Sequence, residues 1–400
     1  MQSTRISALI SLAVLTSFGS SLTAIGTFLA LGRTFHDAKL LALALAVKTL
    51  SAVMITRFTR KYALKNSVYR TMIVSQLSGV PLLILMAIGF SSLNPGLILI
   101  GIFLSGFSGN LLSLVFVPII KELAVEEDLF KKWQGIQQTC LGVGSLIAGF
   151  ISPWLLDFGG VNALYLIDGS TFVIAGYFLF KESAWYLDRF KARVMVPEVQ
   201  AKGTVKITDS AEKKALLFIV PSFIFTGLIP IVASSGMQGL FLQPLEWVER
   251  LWMAEAASNV IIGWAYFKVK WLRTGKLTLM IPLFCTLPLI AIFLSPNTFV
   301  FYGAFLSYSI LYLYGFTRYR DDLFSQAAHL NERINHSAFH LFLINTLRTL
   351  SAPLVSVLIS YEASQMGFLP LRGLISIQLA LGLCAVFYLS YKPGTLEVIK

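Results

Sequence analysis

Apolar runs of about 20 residues, the length a helix needs to cross the hydrocarbon core of a bilayer, recur from one end of this chain to the other. Only 13% of its 400 residues are charged, about half the share a water-soluble domain carries. A surface so poor in charge cannot be solvated by water alone, so lipid is its main solvent. A transmembrane β-barrel would leave alternating segments of ~10 residues, and the sequence has no such alternation. The expected fold class is therefore an all-α membrane protein, in which each span satisfies its own backbone N–H and C=O groups.

The runs fall at 6–31, 39–56, 71–91, 96–119, 134–156 and 162–181, then at 214–235, 247–267, 277–294, 298–316, 336–360 and 367–391. Between the two sets lies a polar stretch carrying Asp188, Arg189, Lys191, Arg193, Glu198, Lys202 and Lys206. The organisation predicted is twelve transmembrane helices in two pseudo-symmetric six-helix bundles, 1–181 and 214–400, joined by a linker at 182–213. Weak internal repetition agrees with it. The second span runs into a basic loop at Arg57, Arg60 and Lys61, and the eighth does so at Lys268 and Lys270. Parallel repeats of this kind place a substrate site near the midplane, at their interface.

Charge placement sets the orientation. With the N-terminus in the cytoplasm, all but six of the 32 Lys and Arg fall in the termini and cytoplasmic loops. The six are Arg33, Lys39, Arg250 and Arg372 outside, and Lys48 and Arg348 within spans. Cytoplasmic enrichment of Lys and Arg is the rule for membrane proteins, so both termini are expected in the cytoplasm. The net charge of +12 is a topology device on this reading, and no nucleic-acid partner is expected. Cys140, Cys285 and Cys384 all sit in apolar runs and suggest neither disulfides nor a metal cage. The first apolar run is too long for a signal peptide and has no small-residue cleavage site, so it is read as a span.

Three stretches resemble the major facilitator superfamily, in particular its drug-efflux branch, which includes macrolide efflux pumps and the enterobactin exporter. The loop from Ala52 through Thr56-Arg57-Phe58-Thr59-Arg60-Lys61 keeps the basic positions of the family's motif after the second span, but not its glycine or its acidic residue. The fifth span keeps Gly135, Gly144 and Gly149, followed by Ser152-Pro153, in the place of the antiporter glycine motif. The sixth span, Ala163 to Phe172, is similar to the efflux branch and includes Asp168. The family's missing acid lies at Thr56; there it helps latch the two halves by charge pairing, so the resemblance implies that any latch here is built differently. It also implies a bacterial inner-membrane location, a rocking-bundle transporter and a working monomer.

Ionisable side chains within spans cost several kcal/mol, ~2.5–3.5 on insertion scales, and each needs a reason. Lys48 lies mid-span in the second helix, and Arg348 lies mid-span in the eleventh with Asn345 three residues before it. Glu255 lies in the eighth span with Asn259 one turn on, and Asp168 near the outer end of the sixth. The superfamily fold pairs helix 2 with 11 and helix 5 with 8. The resemblance therefore implies Lys48 and Arg348 on one seam, and Glu255 near Gln137 and Gln138 on the other. Two cations facing each other suit an anionic substrate, and a desolvated Glu255 or Asp168 suits the coupling proton. Against this stand structural roles: Lys48 snorkelling, Glu255 pairing with Arg250, and Asp168 ending a helix.

Tyr308 and Tyr312 share a face of the tenth span and can stack on a substrate or pack in the core. Asn110 and Gln76 can line a cavity or bond neighbouring helices. His336 and His340 are one turn apart, but no Cys or third His is near, so no metal is expected. The sequence holds no P-loop, nucleophile elbow or His-Glu-x-x-His string, and no cofactor or enzymatic activity is expected. The reading is a secondary transporter exporting a small amphipathic or anionic molecule, a carboxylate siderophore for preference, coupled to protons. Drug efflux and import of an anion are the neighbouring readings; a membrane enzyme or a transporter-derived scaffold are the distant ones.

Overall fold

The computed structural model describes residues 2–35, 38–124, 127–182, 246–274, 284, 287–288, 298–325, 330–339, 341–342 and 345–346. Their regular structure is helical throughout. The first long run forms α1 (Gln2–Phe35), the second α2 (Ala38–Lys65). The third is jointed at Ser78 into α3 (Val68–Leu77) and α4 (Gly79–Ser91). The fourth forms α5 (Pro95–Leu123), whose start is written locally: the Asn94 side chain accepts from the amides of Gly96 and Leu97, and Pro95 fills a position that has no helical partner for an N–H. Further on come α7 (Glu246–Lys268), the short α8 (Lys270–Thr274) and α9 (Thr298–Ser325), with residues 330–339 helical beyond it.

The fifth and sixth runs share one helical trace, α6 (Glu127–Lys181), interrupted at Gly160. There φ is 64° and ψ −172°, a conformation essentially reserved for glycine. The interruption is a reversal. Ser145 shares a 2.8 Å hydrogen bond with Ser21 of α1, while Asp168 packs against Gly19, half a turn away on the same helix. A straight helix would hold residues 145 and 168 roughly 34 Å apart. The two limbs therefore lie side by side against α1, as two predicted spans joined by a tight turn.

Four stretches among the described residues are long and apolar enough to cross a membrane: Ile6–Phe35, Val68–Ser91, Pro95–Leu123 and Asp128–Lys181, the last holding both limbs of α6. Their ends sort by charge. Arg57, Arg60, Lys61, Lys121, Lys131 and Lys132 gather at one end, with the start of α1 and the start of α3. We refer to it as the basic end. At the other end Arg33 pairs with Asp157 at 2.6 Å, where α1 finishes and the first limb of α6 approaches its turn.

Packing follows the same division. Near the basic end, Ile6, Leu9, Leu114, Leu123 and Phe130 bury against Phe324, Leu330, Ile334 and Ala338 from the far part of the chain. Toward the opposite end Phe28, Leu83, Met86, Phe90, Ile98 and Tyr165 form a second cluster, onto which Trp252 of α7 packs. The predicted spans at 214–235 and 367–391, the linker at 182–213 apart from its first residue, and Arg348 and His340 lie outside the described residues.

Candidate functional site

Thr16, Ser20, Thr23 and Thr27 recur every three or four residues along α1, so their hydroxyls share one face. That face lines a cavity of about 500 Å³. Lys48 of α2, Gln76 of α3, Ser105 and Ser108 of α5, Gln137 and Asp168 of α6, and Arg320 of α9 are among its other polar groups, with Phe28, Met86, Phe172, Phe316 and Phe324 among the apolar ones. The volume falls within the range of small-molecule sites, about 300–1,000 Å³. Its walls come from both the N-terminal segment (residues 2–182) and the C-terminal one (residues 246–346).

Two features of this wall are chemically pointed. Asp168 is only 1% exposed, its carboxylate set against Gly19, where any Cβ would overlap it, and near the Thr171 hydroxyl at 3.3 Å. Buried carboxylates at membrane depth mark ion or substrate pathways. Gln76 and Gln137, both buried, each carry a side-chain oxygen with no hydrogen-bond partner among the described residues. Such oxygens are high-energy groups that a donor entering the cavity satisfies.

At the basic end the two segments are tied together. Arg333 donates to Glu122 at 2.6 Å, and Arg273 to Asp128 at 3.1 Å, the latter also held by Lys132 at 2.8 Å. Arg60 donates to the Asn335 side chain at 2.8 Å, and the Ser337 hydroxyl to the Ser113 carbonyl at 3.2 Å. Arg320 reaches across to Gln134 at 2.8 Å. Arg273 also donates to the carbonyls of Tyr266 and Phe267, satisfying C-terminal oxygens of α7 that have no helical donor. Beside them Asp321, five residues beyond the predicted span end at 316, accepts from the Tyr266 hydroxyl. Burial pushes its carboxyl up to about 6, although Tyr266, Arg320, Arg318 and Lys131 pull it down.

A glycine seam runs the length of the contact between α6 and α7. A Cβ at Gly135 would lie 2.8 Å from the Gly263 carbonyl, one at Gly142 2.7 Å from the Ala256 carbonyl, and one at Gly149 2.8 Å from the Met253 side chain. Gly263 meets the backbone of Thr139 in return. Gly135, Gly142 and Gly149 recur every seven residues, two helical turns, so they form one stripe. Gly144 is off that stripe and faces Phe18 of α1.

The sequence-predicted residues are thus dispersed over several places. Lys48, Gln137 and Asp168 line the cavity. Gln138 bonds the Asn259 side chain, which in turn donates to the Glu255 carbonyl at 3.0 Å, so Gln138 and Glu255 share the α6–α7 seam. Glu255 is not among the residues lining the cavity. Asn110 donates to the Ala52 carbonyl at 2.9 Å and ties α5 to α2. Tyr308 and Tyr312 are buried in α9, Tyr312 with its ring 5.7 Å from that of Phe316, and neither lines the cavity. Asn345 is buried. Arg60 joins the basic-end contacts, while Arg57 and Lys61 are exposed. Thr56 is buried and spends its hydroxyl on the Ala52 carbonyl of its own helix. Sequence reasoning missed Arg320, the hydroxyl face of α1, and the pairs Glu122–Arg333 and Asp128–Arg273. Of these only the α1 face had a readable signal, its helical period.

No protein-family model and no curated protein matches the chain. Solved structures do. The chain is similar to the transporter FucP of the major facilitator superfamily in its outward conformation (TM-score 0.69, 12% identity, covering 96% of this chain and 98% of that one). It is similar to a bacterial homologue of the iron transporter ferroportin in an outward-facing state with soaked iron (0.70, 12%, 97% and 99%). It is also similar to the human organic anion transporter MFSD10 (0.68, 13%, 96% and 98%). Over nearly its whole length, this chain has the fold of the major facilitator superfamily.

Proposed function

We propose that this chain is a secondary transporter that exports a small anionic molecule by alternating access, driven by protons, with its basic end in the cytoplasm. One observation carries the reading. A cavity lined by Lys48, Arg320, Asp168 and a row of hydroxyls lies between two segments of the chain whose ion pairs at the basic end are made by side chains. Contacts of that kind can be exchanged for others without unfolding either segment, which is what opening a site to alternate sides requires.

The cations attract a carboxylate-bearing cargo and the hydroxyls hydrogen-bond its polar atoms. That one fold neighbour is an organic anion transporter agrees with this cargo class. A carboxylate-rich siderophore is the particular cargo favoured by the likeness of the first six spans to the efflux branch. Asp168, buried in the cavity wall, carries the proton, with Glu255 on the seam as a second acid.

The test is uptake of an iron-free carboxylate siderophore into inside-out vesicles under an imposed pH gradient. Wild type accumulates it, an uncoupler abolishes accumulation, and Lys48→Ala accumulates far less. Uncoupler-resistant uptake would remove the proton, and unimpaired uptake by Lys48→Ala would remove the anion site.

A further inference from the structure

Arg320 belongs to two assemblies at once. Its side chain lines the cavity, near the basic end, where Phe324 and Ser337 also contribute. Its Nε and Nη2 both donate to the single Oε1 of Gln134, at 3.2 and 2.8 Å, across the join between the C-terminal and N-terminal segments. The partner is a neutral amide. Arg60 likewise meets an amide, that of Asn335, whereas Arg273 and Arg333 face carboxylates across the same join. Two guanidinium donors converging on one amide oxygen form a weaker bond than the two parallel bonds a carboxylate offers.

The surroundings are prepared for a replacement. Gln134 is completely buried, and its Nε2 has no hydrogen-bond partner among the described residues. Gln137, one turn on along α6, lines the cavity with its Oε1 likewise unpartnered. A carboxylic ligand at this position offers oxygens to Arg320, and a hydroxyl or protonated carboxyl to Gln137.

We propose that the floor of the cavity is a carboxylate-binding site in which the ligand takes Arg320 from Gln134, so that binding itself loosens the closure of the basic end. The idea rests on the transporter reading above and deepens it, by naming the group that senses cargo and the bond that cargo breaks. The exchange is one-sided. A ligand that lacks a carboxylate cannot compete for the guanidinium and leaves the closure as it is, so the site distinguishes occupancy by cargo from occupancy by an apolar molecule.

The experiment uses the full-length chain in detergent, its cysteines replaced, with spin labels at Lys61 and Glu332, two exposed positions on opposite segments at the basic end. Pulsed EPR distances are recorded against citrate, with chloride at equal ionic strength as the control. Citrate shifts the wild-type distribution to longer distances and chloride does not. Arg320→Ala shows no citrate-dependent shift. Gln134→Glu gives Arg320 a permanent carboxylate partner and raises the citrate concentration needed by at least about tenfold. A citrate midpoint unchanged in either variant overturns the proposal, and so does a wild type that ignores citrate. In that last case the vesicle assay still decides the transporter reading on its own, because it depends on Lys48 and the pH gradient rather than on Arg320.

Discussion

Glu122 and Arg333, 211 residues apart in sequence, meet at 2.6 Å with each side chain only 11% exposed. Removing one member of so buried a pair strands the other charge, which costs about 3–5 kcal/mol. The cost falls on the state in which they meet, so Glu122→Gln opens the basic end. Labelling of a cysteine placed at Ser113 by a membrane-impermeant thiol reagent added from the basic side rises in this variant. The reversed pair, Glu122→Arg with Arg333→Glu, restores wild-type labelling; continued high labelling in the double variant would show that something other than the pair was lost.

The glycine seam gives a stability prediction. Gly263→Ala places a methyl against the Thr139 backbone, where nothing flexible can yield, and overpacking of this kind costs about 1–3 kcal/mol. Gly303→Ala has open space around it and sits in a helix that prefers alanine. Thermal unfolding in detergent is expected to fall by several degrees for the first and hold or rise for the second.

At the turn between the limbs of α6, Gly160→Ala forces a side chain into a backbone region that only glycine occupies comfortably, at a cost of about 1–3 kcal/mol. Gly169→Ala, whose methyl would meet only an ordinary contact with Leu83 at 3.7 Å, is the control for an added side chain. A lower unfolding temperature for Gly160→Ala alone is the expected result, and equal losses would point to crowding instead.

How far these features could be read from sequence depends on the length scale of the signal. The six runs up to residue 181 are each long enough to report themselves, and the described helices follow them. The joint at Ser78 carries a local signal in Gly79 and Pro81, the proline removing a helical hydrogen bond, although the run as a whole reads as one span. The reversal at Gly160 was legible through its glycine pair and the break between runs. Cavity residues were legible where a charge or an amide interrupts an apolar run, as Lys48, Gln76, Gln137 and Asp168 do. Arg320 does not, because Arg318, Arg320 and Asp321 read as the start of an ordinary basic loop. Which loop charges meet across the two segments depends on contacts more than 140 residues apart in sequence, and no local pattern encodes those.

Asp321 predicts a pH effect. Its folded-state carboxyl is raised to about 6 from the ordinary 3.8, chiefly by burial. The folded chain therefore holds a proton that the unfolded chain releases, and the stability this confers at acid pH is lost as the pH rises through about 6. Wild type is expected to lose thermal stability between about pH 4 and 7 more steeply than Asp321→Asn, whose side chain does not titrate. Parallel curves for the two proteins would show that Asp321 is already charged throughout that range.

Coupling separates the two acids. Asp168→Asn is expected to remove the response of vesicle uptake to the pH gradient while leaving exchange of cargo down its own gradient. Glu255→Gln, whose position is on the seam rather than the cavity wall, is expected to keep most of the response. The reverse order of effects would move the proton site to the seam.

Among the described residues, the two ion pairs that cross between the segments at the basic end have a directional bias. In both, the acid belongs to the first part of the chain and the arginine to the second: Glu122 and Asp128 face Arg333 and Arg273. Signs sorted in this way make each segment attractive to its complement and repellent to its own copy at that surface. Were the two segments synthesised as separate polypeptides, the same charges would favour correct pairing over like-with-like association, so the closure doubles as a recognition code by which one half of the molecule finds the other.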